Sequence, residues 1–176
     1  RNDFLRDERG FDGFTLPLFT ALSGGLAVIG VIVGGRLAEN RGRRVVGAGA
    51  AAGMALFLTA SFVVGGPMMW LTATAGMIAM AALAPATTIY GAELFPTSMR
   101  GRASGIVAAV AMGGSVLGLM TTGLLVDRFG SYGPTIAIAA TAPLVGALLI
   151  ALRFPETADR ELEELNPEDE TLTPLE

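Results

Sequence analysis

Residues 45–92 read VVGAGAAAGMALFLTASFVVGGPMMWLTATAGMIAMAALAPATTIYGA and contain no Asp, Glu, Lys or Arg. Three further stretches, 14–35, 103–126 and 129–152, are also free of these charged residues. A helix needs about 20 mainly apolar residues to cross the hydrocarbon core of a bilayer. Gly65-Gly66-Pro67 divides the longest stretch, because glycine and proline interrupt a helix. The sequence therefore predicts an all-α, polytopic membrane bundle of five helices, over about 14–35, 45–64, 68–92, 103–126 and 132–152.

The composition agrees with a membrane protein and excludes several kinds of chemistry. Of the 176 residues, 52% are hydrophobic and 16% are charged, whereas soluble domains carry about 25% charged residues. The absence of Cys and His excludes disulfides, thiolate chemistry and the commonest general base and metal ligand. No Asp, Glu, Lys or Arg lies inside a predicted span, although an enzyme at membrane depth needs a cluster of catalytic side chains. We therefore predict that the chain is not an enzyme and has no cofactor or metal site.

Five spans place the two ends of the chain on opposite sides of the membrane. Eight Arg lie on the side that holds the turns 36–44 and 93–102 and the C-terminal tail, against four on the other side. Because cytoplasmic loops are enriched in Lys and Arg, we expect the first side to face the cytoplasm. The expected organisation is an outer loop at 1–13, a transmembrane bundle at 14–153 and an acidic cytoplasmic tail at 154–176, with a short surface helix near 159–165.

The start of the chain is polar and does not resemble a targeting signal. The first residue is not Met, and Arg1–Asp12 lacks the apolar core of a signal peptide. We therefore expect a piece of a longer multi-pass protein of the plasma or inner membrane. The Arg residues occupy short turns at the membrane edge and form no continuous stripe, so nucleic acid is not an expected partner.

Three polar segments on the Arg-rich side carry recognisable motifs. Residues 35–44 read GRLAENRGRR, residues 92–101 read AELFPTSMRG, and residues 154–157 read FPET, followed by RELEEL at 160–165. In this order they resemble the motifs after helices eight, ten and twelve of the major facilitator superfamily, in its sugar-porter and organic-acid symporter branches. The five spans would then be helices eight to twelve of a twelve-helix fold. Glu39, Asn40 and Ala158-Asp159 depart from the usual residues of the sugar porters.

The resemblance implies a secondary transporter that works by alternating access and is completed by an N-terminal half outside this chain. It implies a sugar or a small organic acid as the solute, proton coupling, and a proton-carrying acid in that other half. Two alternatives remain open, a drug or metabolite exporter of the same superfamily and a receptor-like relative that does not transport.

The resemblance also implies a conformational-switch loop and a cytoplasmic charge network. In the family, the acid that matches Glu39 docks near the N-terminus of helix eleven, here about 101–105, in one access state only. The alternative is that the Arg residues are ordinary membrane-edge anchors. The switch residues are Gly35, Glu39, Arg41, Gly42, Arg43 and Arg44. The network residues are Glu93, Arg100 and Glu156.

Polar side chains within the spans are candidates for the solute cavity. Each hydroxyl can instead bond to a carbonyl of its own helix, one turn earlier. The main candidates are Thr20, Ser23, Thr74, Thr87, Thr88, Tyr90 and Ser115, with Thr72, Thr121 and Thr122 as further positions. The small-residue pairs Gly30/Gly34, Gly49/Gly53 and Gly114/Gly118 predict close helix packing, with dimerisation through one of these faces as the minor alternative.

Overall fold

The computed structural model describes residues 2–7, 9–93 and 95–156, with the side chains of 2, 3, 7, 89–93 and 97 outside the description. The described residues form helices and no strand, which confirms the all-α prediction. The helices are α1 (Asn2–Asp7), α2 (Thr15–Gly25), α3 (Ala27–Arg41), α4 (Arg43–Val63), α5 (Gly66–Glu93), α6 (Thr97–Phe129), α7 (Tyr132–Ala139) and α8 (Thr141–Arg153). The predicted surface helix near 159–165 lies outside the described residues.

Five helical segments are long and apolar enough to cross a membrane, as the predicted fold class requires. They are Thr15–Arg41, Arg43–Val63, Gly66–Thr88, Ser98–Phe129 and Tyr132–Arg153. Helical structure extends beyond the apolar runs, so that α3 continues to Arg41 and α6 begins at Thr97. The physical reason is that Arg, Glu and Leu are good helix formers, so a helix does not stop where its sequence becomes polar.

Two of the five segments are interrupted near the middle. The first breaks at Leu26, after Gly24 and Gly25, and the last breaks at Ala140. Pro143 explains the second break, because proline has no N–H to donate to Ala139 and is tolerated in the first turn of a helix. Pro85, by contrast, lies inside α5, which is continuous in the described backbone.

Gly30 and Gly34 are buried where α3 crosses α5. A Cβ at Gly30 would lie 2.9 Å from the carbonyl carbon of Ile78, and a Cβ at Gly34 would lie 2.6 Å from the Cα of Ala82. These two glycines therefore allow the two backbones to touch, which confirms the packing prediction for this pair. At Gly49, Gly114 and Gly118, a Cβ would meet no described atom within 4 Å.

A first prediction concerns this crossing. Gly34→Val should lower the thermal stability of the full-length protein by several degrees, because overpacking costs about 1–3 kcal/mol. Gly49→Val is the matched control, since a Cβ there meets no described atom within 4 Å. Equal melting temperatures for the two variants in detergent would show that α3 and α5 do not cross at Gly34.

The helices α3, α4 and α5 pack together, and α8 packs against α4. Helix α6 stands apart from them in the described part of the chain, with Leu119 75% exposed. We call the end that holds Arg36–Arg44, the start of α6 and residues 153–156 the Arg-rich end. The other end carries the main buried cluster, formed by Phe4, Leu5, Leu16, Phe19, Met69 and Ala73.

The segment before α2 departs from the sequence-based expectation of a loop. Residues 2–7 form α1, and Phe4 and Leu5 are each only 2% exposed. The apolar residues are scattered between charged ones, so the segment has a low average hydropathy although one side of it is buried.

The start of α2 is fixed by Asp12, whose Oδ1 accepts from the N–H of Thr15 at 2.7 Å and of Phe14 at 3.0 Å. The bonds from the Thr15 N–H and hydroxyl and from the Phe14 N–H lower the pKa of Asp12.

Candidate functional site at the Arg-rich end

Gly42 makes the turn between α3 and α4. It is the single residue between Arg41 and Arg43. Its backbone φ of 95° is one that residues other than glycine rarely adopt. Gly42 has no side chain with which to cap α4. The first N–H groups of that helix therefore need an acceptor from elsewhere.

Glu156 supplies this acceptor from the far end of the chain. Its Oε1 accepts from the backbone N–H of Arg43 at 2.8 Å, and its Oε2 accepts from the backbone N–H of Arg44 at 3.3 Å. A Cβ at Gly42 would lie 2.8 Å from the carboxyl carbon of Glu156, so glycine leaves the space that the carboxylate fills. A negative charge at this position also interacts favourably with the positive end of the α4 dipole.

Arg44 makes the reverse contact. Its Nε donates to the carbonyl of Ala151 at 2.8 Å, and its Nη2 donates to the same oxygen. Ala151 lies in the last turn of α8, where carbonyls lack partners within the helix and the dipole favours a cation. Glu156, which follows α8, thus bonds to the start of α4, and Arg44 of α4 bonds to the end of α8. We call Glu156, Arg44 and the groups they bond to the α4–α8 clamp.

The clamp is suited to holding helices together. A hydrogen bond to a charged group that is shielded from solvent contributes about 1.5–3 kcal/mol to stability. Arg43, Arg44 and Glu156 are only partly buried, so solvent screening reduces this contribution. The clamp therefore connects α4 to α8 through hydrogen bonds whose free energy is small enough for them to break during a conformational change.

The structure brings together some of the predicted switch and network residues. Gly42, Arg43, Arg44 and Glu156 meet in the clamp. Gly35, Glu39 and Arg41 lie on the neighbouring end of α3, where Glu39 is exposed and forms no hydrogen bond with another described residue. The role of Glu39 at the start of α6 therefore stays a prediction. Ala151 was not predicted from the sequence, where its only signal is its position in the last helical turn before a polar segment.

Arg100 takes no part in the hydrogen bonds of the clamp. Arg100 donates from Nη2 to the carbonyl of Phe95 at 3.5 Å, and the side chain of Glu93 lies outside the described part of the structure. Arg100 also lines a groove of about 490 Å³ between α5 and α6. The other residues lining this groove are Thr87, Thr88, Phe95, Ser104, Val107 and Ala108.

Most of the predicted cavity hydroxyls donate to their own helices. Ser23 bonds to the carbonyl of Phe19 at 2.6 Å, Thr20 to that of Leu16 at 3.0 Å, and Ser115 to that of Ala111 at 2.9 Å. Thr72, Thr87 and Thr122 do the same. These hydroxyls retain lone pairs that can accept from a solute. Thr87 and Thr88 line the Arg100 groove, Thr74 is partly buried, and the side chain of Tyr90 is outside the description.

Comparison with known proteins identifies a family and two relatives. The sequence model of the Major Facilitator Superfamily matches residues 2–175. The MFS-type transporter lnaF of Aspergillus flavus is 30% identical over an alignment of 160 residues that covers 85% of this chain and 31% of that protein. A Schizosaccharomyces pombe protein named as an inorganic phosphate transporter is 36% identical over 80 residues, 46% of this chain and 14% of that protein. The chain thus spans less than a third of the length of these relatives.

Proposed function

The chain belongs to the Major Facilitator Superfamily. We propose that it forms helices eight to twelve of a secondary transporter that moves a small solute by alternating access. The observation that carries the proposal is the α4–α8 clamp. In it, residues from two separate sequence motifs, 35–44 and 154–157, meet at one end of the bundle. Five apolar helices support the same proposal.

The clamp suggests how this half of the transporter keeps its shape during transport. Alternating access rocks one half of the protein against the other around a central solute. Because Gly42 alone separates α3 from α4, a clamp on α4 and α8 also holds the end of α3, which carries Glu39. We propose that the clamp holds Glu39 in position for a partner that is bonded in only one access state.

The solute proposed from the motifs is a sugar or a small organic acid. The similarity to a protein named as an inorganic phosphate transporter adds phosphate to these candidates. We further propose proton coupling, and a membrane orientation with the Arg-rich end in the cytoplasm. In the five described spans the acids are Glu39 and Asp127, and each lies two residues before the end of its span, so the proton-carrying acid would belong to the other half.

The second prediction tests transport directly. The full-length protein in proteoliposomes should take up at least one labelled sugar, organic acid or phosphate, and collapse of the proton gradient should abolish that uptake. Residues 1–176 alone, reconstituted in parallel, should show no uptake because a closed pathway needs both halves. Uptake that is independent of the gradient would refute proton coupling. A folded full-length protein that takes up none of these compounds would favour the exporter or the non-transporting relative.

A further inference from the structure

The segment before α2 is packed against four helices at the end opposite the clamp. The ring of Phe4 lies 4.6 Å from that of Phe62 on α4 and 5.8 Å from that of Tyr132 on α7. The ring of Phe11 lies 5.5 Å from that of Phe19 on α2 and 6.2 Å from that of Trp70 on α5. The N–H of Phe11 donates to the carbonyl of Leu5 at 2.9 Å, which folds the segment back on itself.

Arg9 connects this segment to the end of α4. Its Nη2 donates to the carbonyl of Phe62 at 3.0 Å, in the last turn of the helix, where carbonyls lack partners within the helix. Its guanidinium carbon also lies 5.2 Å from the centroid of the Phe4 ring, within the range of a cation–π interaction. A Cβ at Gly65 would lie 3.1 Å from Nη1, so the glycine leaves room for the guanidinium.

The neighbouring Arg6 gives a contrast on the same segment. Its side chain is exposed and forms no hydrogen bond with another described residue. The two arginines have the same charge and lie three residues apart, but only Arg9 bonds to a helix end and stacks on a buried ring. The difference between them isolates the effect of the contact from the effect of the charge.

We propose that residues 2–7 and 9–13 form a fixed cap on the ends of α2, α4, α5 and α7, and that Arg9 is the positioning residue that holds the cap in place. The cap would then move with these helices as one body during transport and would not open as a lid. The observations that carry this proposal are the burial of Phe4 and Leu5 and the contacts of Arg9 with two elements.

The third prediction measures the cap without any knowledge of the solute. This chain has no Cys, so Leu5→Cys, in full-length protein with any other cysteines replaced, introduces a unique buried thiol. We expect it to react slowly with N-ethylmaleimide and to react about tenfold faster when Arg9→Gln is added, because a charged hydrogen bond is lost. Arg6→Gln should leave the rate unchanged. A fast reaction in the parent, or equal rates with Arg9→Gln and Arg6→Gln, would overturn the role of Arg9.

A second experiment separates a fixed cap from a moving lid, and it rests on the proposed transport function. Phe4→Cys and Phe62→Cys, joined by a short bismaleimide, should leave the transport rate within about twofold of the uncrosslinked protein. Loss of transport on crosslinking would mean that the segment must open, and failure to crosslink would mean that the two positions are not adjacent. The labelling experiment needs no solute, so failure of the transport proposal would not affect it.

Discussion

Glu156→Ala in the full-length protein is expected to slow the proposed solute flux by about tenfold, while solute affinity stays within about twofold. Loss of a capping side chain costs about 0.5–2 kcal/mol, and here it removes the acceptor of the Arg43 and Arg44 backbone N–H groups. A bias of 1–3 kcal/mol between two access states changes their ratio about 5- to 150-fold. Flux and equilibrium binding should therefore respond differently, since the clamp lies at the end of the bundle and away from the candidate hydroxyls.

Two further variants make this prediction specific. Asp127→Asn removes an exposed carboxylate from the opposite end of α6 and should leave flux unchanged. Glu156→Gln keeps one oxygen acceptor for the Arg43 or Arg44 N–H and should lose less flux than the alanine variant. If folded Glu156→Ala protein transports at the parental rate, the clamp has no part in the conformational cycle.

The helices could be predicted from the sequence because their cause is local. Long runs without charge have few alternatives to a membrane helix, and an unpaired backbone group in lipid is costly. The close crossing at Gly30 and Gly34 could be predicted for the same reason, since small residues one helical turn apart form a flat helix face. The break at Leu26 has no comparably strong signal, because glycine pairs also occur within continuous helices.

The pairing of acids with helix ends could not be predicted from local sequence. Glu39 and Glu156 both lie in polar segments that follow an apolar run. Which of them reaches a helix N-terminus depends on which helices are neighbours, and α8 ends beside the start of α4. Two sequence motifs separated by more than a hundred residues therefore join through a packing contact that neither motif contains.

The cap was missed for a different reason. Phe4, Leu5 and Phe11 are separated by charged residues and turn signals, so a hydropathy average over the segment indicates a loop. Their burial depends on partners from four helices, and three of these, α4, α5 and α7, are distant in the sequence. A pattern within thirteen residues carries no information about those partners.

Gly42→Ala should have a second large effect, because two costs coincide at one position. A side chain at this backbone conformation, with φ 95° and ψ 142°, is strained by about 1–3 kcal/mol. The new Cβ would also lie 2.8 Å from the carboxyl carbon of Glu156 and would push the carboxylate off the α4 N-terminus. We expect a fall of several degrees in the melting temperature of the full-length protein and a loss of flux at least as large as that of Glu156→Ala.

The double variant Gly42→Ala with Glu156→Ala distinguishes the two costs. If displacement of the carboxylate dominates, the double variant should be no slower than Gly42→Ala, because the displaced group is already gone. If backbone strain dominates, the effects on stability should add. Gly47→Ala is the matched control on the same helix, since its Cβ would make ordinary contacts at 3.6 Å with Ala86 and 3.7 Å with Ile150. Equal stability and flux for Gly42→Ala and Gly47→Ala would mean that neither the turn at Gly42 nor the carboxylate beside it limits transport.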